Sequence, residues 1–352
     1  MTKILKTGLT GAILAVAGVP AFADSFSFTV VAGHPPITGG VAEISKVFIP
    51  EVTKRLEAMG HTVSWTEGYA GSIAEPSGVL EAVESGIAEF GYVPHLFEGD
   101  KLPLEQITYI TPFGTDDLTK LMTVMEQLHD AIPEMDQAWE KNGQRMLAPV
   151  GIDSYHFDTN FEINSIDDLK NKKIGTAGLA LNWLKDTGAV PVAGALTTFY
   201  NAMSTGLYDG VLTFESAIAP YKFYEVAPYI TKINFGAMYA SALTVNLDTW
   251  NSLPADVQTA IQEAADMYRE STAEFYQTAG AKSLETAAAN GATIHEFSAE
   301  QRAAYAERLP DFAKEWAEKL DAQGMPGTKT LQTYMQLCKD AGIEHARNWG
   351  GM

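Results

Sequence analysis

The sequence has little positive charge and almost no cysteine. Its 352 residues include 24 Lys and Arg against 44 Asp and Glu, which gives a net charge of −20. A chain this acidic repels nucleic acid and anionic membrane surfaces, so neither is expected as a partner. Cys338 is the single cysteine, which excludes an internal disulfide and leaves no second thiol for a metal site. We expect Cys338 to be buried in a helix and inert.

The common catalytic and cofactor motifs are also missing. The sequence contains no Gly-x-Ser-x-Gly, His-Glu-x-x-His, P-loop or Cys-x-x-Cys pattern. Its seven histidines are scattered, and no two have the spacing of metal ligands. We therefore expect no metal and no cofactor. The alternative is a secreted enzyme that uses a carboxylate such as Glu75 or Asp153 as a general base.

Long apolar runs are absent except at the N-terminus. Lys3 and Lys6 precede an apolar stretch at residues 9–19, and residues 21–23 (Ala-Phe-Ala) have the pattern of a cleavage site. This layout predicts a secretory signal peptide at residues 1–23, because the run is too short to span a bilayer. We expect a mature protein that begins near Asp24 outside the cytoplasm. A membrane-anchored helix is the alternative.

Strand and helix patterns alternate along the rest of the chain. The order is strand, helix, strand, helix, strand up to residue 93, and a similar alternation recurs between residues 145 and 214. Such alternation is typical of an α/β protein with largely parallel sheets. A strand near residue 244 could rejoin the first section. We expect domain I to comprise residues 24–150 and about 240–270, and domain II residues 151–239 and about 271–352.

One predicted helix is long enough to cross two domains. Val257 and Ile261 begin an apolar face that continues toward Gly291. At about 1.5 Å per residue, the helix would be roughly 55 Å long. Ser252 is expected to be its N-cap, with Pro254 in the first turn.

Five segments resemble, in the same order, parts of the DctP-like solute-binding proteins of TRAP (tripartite ATP-independent periplasmic) transporters. The segments are residues 75–93, 167–174, 200–210, 223–226 and 250–257. This resemblance implies a two-domain Venus-flytrap fold with a long domain-spanning helix. It also implies a monomeric periplasmic receptor, not an enzyme, that binds a small solute between its domains and delivers it to membrane permease subunits.

The chain departs from this family where a carboxylate would be bound. Family members usually have an arginine after the Lys-Ile of a second-domain strand, where the guanidinium can grip a carboxylate with two hydrogen bonds. Gly175 occupies that position here, and His156 aligns with a second arginine that many members have. We therefore expect both arginine clamps to be lost. A shifted alignment, with another cation in the role, is the alternative.

The residues expected near the cleft are instead aromatic and acidic. The candidate ligand-binding residues are Glu215, Phe214, Asp153, Trp183, Tyr155, His156, Tyr92, His95, Glu75 and Tyr239. A core position is the alternative for Tyr92 and Trp183. Aromatic faces combined with a carboxylate suit a small organic cation.

The predicted ligand is therefore an organic amine or zwitterion, such as an ethanolamine-, choline- or betaine-like compound. Three alternatives stay open. They are a TRAP receptor for carboxylates with a substituted clamp, a ligand-binding partner of a membrane sensor, and a receptor of an ATP-driven transporter.

Overall fold

The computed structural model describes residues 24–351. The predicted signal peptide lies outside the described residues. Within residues 24–351, no helix is both long and apolar enough to cross a membrane. The strands are β1 (Ser25–Val31), β2 (Thr62–Gly68), β3 (Phe90–Val93), β4 (Gln144–Ile152), β5 (Tyr155–Thr159), β6 (Lys173–Thr176), β7 (Val190–Ala193), β8 (Gly210–Phe214), β9 (Tyr229–Lys232), β10 (Met238–Asn246) and β11 (Thr293–Glu296).

Helices surround these strands. The α-helices are α1 (Gly39–Glu43), α2 (Ile49–Ala58), α3 (Val79–Glu84), α4 (Ile107–Ile110), α5 (Leu118–Ala131), α6 (Glu134–Lys141), α7 (Leu196–Ser204), α8 (Glu215–Ile218), α9 (Leu247–Ser252), α10 (Ala255–Ala289), α11 (Ala299–Arg308), α12 (Phe312–Ala322) and α13 (Gly327–Asp340). A π-helical turn, Ile44–Phe48, joins α1 to α2. Short 3₁₀ helices span Pro76–Gly78, His95–Phe97, Leu104–Gln106, Ile166–Leu169, Gly178–Leu184, Phe223–Glu225 and Trp349–Gly351.

The strands form two sheets, which confirms the α/β class. The first sheet has the order β2-β1-β3-β10-β4, and the second has the order β11-β9-β5-β8-β6-β7. The sheets are mixed rather than largely parallel, because β10 and β5 run antiparallel to both of their neighbours. Each of these two strands follows a direct crossing from the other sheet, of two residues before β5 and five before β10.

The long helix α10 is the third connection between the two halves. It has 35 residues and a length of about 52 Å, and it packs against β4 of the first sheet and α8 beside the second. The expected N-cap was wrong, because Ser252 ends α9 and Pro254 precedes α10. Leu253 is extended between them, as residues before proline generally are.

The C-terminal helices cover the half of the molecule that contains the first sheet. Both α12 and α13 contact α4, and α13 also packs along α5. Residues 271–352, expected to belong to domain II, therefore include two helices that contact the first half. The buried face of α13 includes Leu331, Tyr334 and Cys338. This apolar stripe is removed from water where α13 packs against the first half of the molecule. Cys338 is fully buried, as expected.

Candidate functional site

A cavity lies between the two sheets, where the ends of several strands meet. Its lining residues are His34, Thr38, Tyr92, Pro94, Leu96, Phe97, Ile152, Tyr155, Thr176, Ala177, Leu196, Phe199, Leu212, Thr213, Phe214, Ala240 and Ser241. We call this space the aromatic cavity. No Asp, Glu, Lys or Arg of the described chain lines it. Strand ends that face a crevice are the usual location of ligand sites in open α/β sheets.

Aromatic side chains from both sheets are packed in this wall. The rings of Tyr155 and Phe214 are 5.7 Å apart, and the Tyr155 hydroxyl is 3.1 Å from that of Tyr109. His34 meets the Tyr92 ring at 6.3 Å in an edge-to-face arrangement. Burial lowers the pKa of His34 to about 4, so its imidazole is neutral at pH 7. The cavity therefore offers ring faces, hydroxyls and one neutral imidazole.

Tyr208 fills the place where an arginine clamp was considered. A Cβ atom added to Gly175 would lie 2.6 Å from two carbon atoms of the Tyr208 ring. Such a contact is far shorter than van der Waals distance, so a larger side chain does not fit here without rearrangement. The next residue, Thr176, lines the cavity instead. An arginine at position 175 would therefore require the Tyr208 ring to move.

Asp153, His156 and Glu215 lie in a second pocket of about 360 Å³ beside α10. We call it the charged pocket. His156 and Lys232 both approach one oxygen of Glu215, with nitrogen to oxygen distances of 2.7 and 3.2 Å. Burial would raise the pKa of Glu215, but these two contacts outweigh it and hold the pKa below its usual value. Glu215 is thus an ionised group whose charge is already paired.

His156 is neutral in this arrangement. Its Nδ1 accepts the backbone N–H of Asn234 at 3.1 Å, so the ring proton is on Nε2 and is donated to Glu215. Burial lowers the pKa of His156 despite the neighbouring carboxylate. Asp153 accepts hydrogen bonds from the backbone and hydroxyl of Ser216, and burial raises its pKa. Neither His156 nor Asp153 therefore supplies a free charge to the aromatic cavity.

The structure divides six of the predicted site residues between the two pockets. Tyr92, Tyr155 and Phe214 line the aromatic cavity, whereas Asp153, His156 and Glu215 line the charged pocket. Tyr155 and His156 are consecutive in β5, where successive side chains point to opposite faces. Chain neighbours therefore reach different pockets, and the expected combination of rings with a carboxylate is not assembled in one place.

The other four predicted residues are outside both pockets. Trp183 is fully buried and donates its indole N–H to the Tyr109 carbonyl oxygen at 2.8 Å. His95 and Tyr239 are also buried, with ring centres 4.3 Å apart. Glu75 is exposed in the loop before a 3₁₀ helix. The first three side chains pack in the interior, which was the stated alternative for Trp183.

Most lining residues, Thr38, Phe199 and Ser241 among them, were not singled out from the sequence. Thr38 precedes α1, Phe199 lies in α7 and Ser241 lies in β10. No local signal distinguishes them, since each belongs to an ordinary helix or strand pattern. For Ser241, the sequence offered one indication of its position. A strand near residue 244 was expected to rejoin the first section, and it does so as β10 between β3 and β4.

Comparison with known proteins decides the family. The family model described as bacterial extracellular solute-binding protein, family 7 (DctP) matches residues 57–320. The chain belongs to this family. Its members are solute receptors of TRAP transporters rather than enzymes. The two-domain fold, the transport role and the resemblance inferred from the sequence are thereby confirmed.

Individual relatives differ in what their names say they bind. The ectoine-binding periplasmic protein TeaA of Halomonas elongata is 25% identical over 331 residues, which cover 92% of this chain and 93% of TeaA. The C4-dicarboxylate-binding periplasmic protein DctP of Rhodobacter capsulatus is 33% identical over 143 residues, or 40% of this chain and 43% of DctP. A TRAP solute-binding protein of Rhodoferax ferrireducens, solved with copurified benzoate, has a TM-score of 0.79 at 18% identity and covers 90% of this chain and 98% of its own.

Proposed function

We propose that this protein is a monomeric periplasmic receptor that binds a small zwitterion with no net charge in the aromatic cavity. Betaine-like and ectoine-like compounds belong to this class. The receptor would then deliver the solute to the permease subunits of a TRAP transporter. The observation that carries the proposal is an aromatic cavity whose wall, among residues 24–351, contains no carboxylate, lysine or arginine side chain.

The chemistry of this wall suits a ligand whose charges cancel. Ring faces such as those of Tyr155 and Phe214 attract an organic cation, with a contribution of about 0.5–2 kcal/mol. Hydroxyl and imidazole groups can donate hydrogen bonds to a carboxylate. A ligand with a net charge would have to be desolvated without an opposite charge in the wall, which is costly. A zwitterion carries its own balancing charge.

Two cations that could replace the arginine clamp are already engaged elsewhere. Lys232 is paired with Glu215 in the charged pocket. Arg145 lies over the Trp250 ring at 4.9 Å, and Tyr208 covers Gly175. The similarity to the ectoine-binding TeaA over almost the whole chain agrees with a zwitterionic ligand, whereas the dicarboxylate-binding DctP is similar over less than half.

Calorimetric titration of the purified protein tests the ligand class. The probes are ectoine, glycine betaine, choline, succinate and benzoate. We expect a zwitterion to bind at least about tenfold more tightly than either anion, a difference of about 1.4 kcal/mol. At 100 times its Kd, the ligand should add about 2.7 kcal/mol to the free energy of unfolding. It should also be recovered chemically unchanged. Tightest binding of succinate or benzoate would contradict the proposal.

A matched pair of variants locates the binding site. F214L removes a ring from the aromatic cavity, and F161L removes a ring outside it that stacks under Lys172. Loss of a cation–π contact should weaken zwitterion binding about 2- to 30-fold in F214L. F161L should bind like the wild type. Equal affinities for both variants would place the ligand elsewhere.

A further inference from the structure

His34 is an unsatisfied polar side chain in the wall of the aromatic cavity. It is only 6% exposed, and its Nδ1 is buried without a hydrogen-bond partner. Within residues 24–351, no protein atom hydrogen-bonds to its ring. Two neighbouring hydroxyls are engaged, since Thr38 is 2.7 Å from the Tyr221 hydroxyl and Thr176 donates to the Leu212 carbonyl oxygen.

Two neighbouring loops hold the His34 backbone in place. A Cβ atom on Gly33 would lie 2.1 Å from the backbone nitrogen of Pro76, so Gly33 packs directly on that loop. The His34 carbonyl oxygen accepts the N–H of Ala70 at 3.1 Å. The Tyr92 ring packs against the imidazole from the side of β3. His34 is thus positioned in advance, while its hydrogen-bonding capacity is unused.

We propose that His34 donates a hydrogen bond to the carboxylate of the bound solute, in place of the arginine clamp that this chain lacks. The inference rests on the proposed function, because it assumes a carboxylate-bearing solute in the aromatic cavity. A neutral imidazole has one N–H donor and adds no net charge. It therefore binds the carboxylate of a zwitterion without favouring a net anion, which selects between these two classes of solute.

The test compares ligands that differ at the carboxylate. Glycine betaine and choline both carry a trimethylammonium group, but choline has a hydroxyl in place of the carboxylate. We expect H34F to weaken the binding of glycine betaine and of ectoine at least about tenfold in calorimetry, since a buried carboxylate loses its donor. Choline affinity should stay within about twofold of the wild-type value. H34Q, which keeps an N–H donor, should recover most of the loss.

Two controls separate this effect from a change in folding. H295F alters a histidine that is exposed on β11 and should bind every probe like the wild type. If H34F does not fold, H34L provides the same comparison, because leucine has no hydrogen-bond donor and is close to histidine in size.

Each outcome decides a different claim. Unchanged binding of glycine betaine and ectoine by H34F would overturn the role of His34 and leave the proposed function intact. An equal loss for choline would also overturn that role, since the ring would then act by its shape. Succinate as the tightest wild-type ligand would overturn the zwitterion proposal. A loss of succinate but not choline binding in H34F would still support the carboxylate contact. A wild-type protein that binds none of the probes would overturn both proposals.

Discussion

His129 joins two carboxylates beneath the first sheet. Its Nε2 is 3.3 Å from the carboxylate of Glu105, and its Nδ1 is 2.9 Å from that of Asp136. Glu105 is fully buried and accepts a hydrogen bond from the Trp139 indole at 3.1 Å. Burial alone would lower the pKa of His129, but the two negative charges outweigh it and raise the pKa to about 10. We therefore expect a charged His129 that balances the buried Glu105.

This proton stabilises the folded state over a defined pH range. The pKa of histidine in the unfolded chain is 6.5, so the folded protein holds the proton more tightly. The stabilisation is complete below pH 6.5 and is lost as pH rises through 10. Between pH 7 and pH 9 the loss attributable to His129 should be about 2.5 kcal/mol in the free energy of unfolding.

Urea unfolding of the wild type and H129Q at pH 7 and pH 9 measures this effect. At pH 7 the wild type should be about 3–5 kcal/mol more stable, because H129Q leaves Glu105 buried without its cation. That difference should shrink by about 2.5 kcal/mol at pH 9, whereas alkaline titration of other groups affects both proteins alike. H295Q, at an exposed position, should follow the wild type. A difference between wild type and H129Q that is the same at both pH values would refute a charged His129.

Three further predictions concern two glycines and another buried histidine. G175R should lower the free energy of unfolding by about 1–3 kcal/mol, because Tyr208 fills its space. It should also gain no succinate binding in calorimetry, and a stable variant that binds succinate would contradict both points. G280A should lose about 1 kcal/mol of stability in urea, although alanine normally favours a helix, because its methyl group would lie 2.8 Å from Asp153 Oδ2; a gain would show that this contact relaxes easily. Burial lowers the pKa of His95 to about 4, so its contribution to stability is present above pH 6.5 and is lost down to pH 4. Stability curves of wild type and H95F should therefore converge in this range, and parallel curves would argue against a neutral His95.

Local patterns predicted the α/β class and the long helix well. The apolar residues from Val257 onward repeat with the period of one helix. That helix ends at Ala289, and Asn290 and Gly291 follow it. The start of the helix was misplaced, because Asn246 caps a separate short helix that ends at Ser252. Two helices joined by two extended residues, Leu253 and Pro254, have nearly the same apolar pattern as one longer helix.

The candidate site was predicted only as a set of strand ends. Phe214 and Glu215 were expected to act together, but one lines the aromatic cavity and the other the charged pocket. A sequence shows that consecutive strand residues face opposite ways, but not which face meets the cavity. The pairing of Glu215 with Lys232 depends on residues 17 positions apart that meet through β9 and α8.

The sequence by itself determined the family, the α/β architecture and the long helix. These properties follow from residue identity and from local periodicity, which a single chain displays directly. Only the tertiary structure decided that Tyr208 fills the space beside Gly175, that Trp183 belongs to the core, and that His34 is left unpaired in an uncharged cavity. These features arise from contacts between segments far apart in the chain, because packing determines which side chains are neutralised, buried or free to bind.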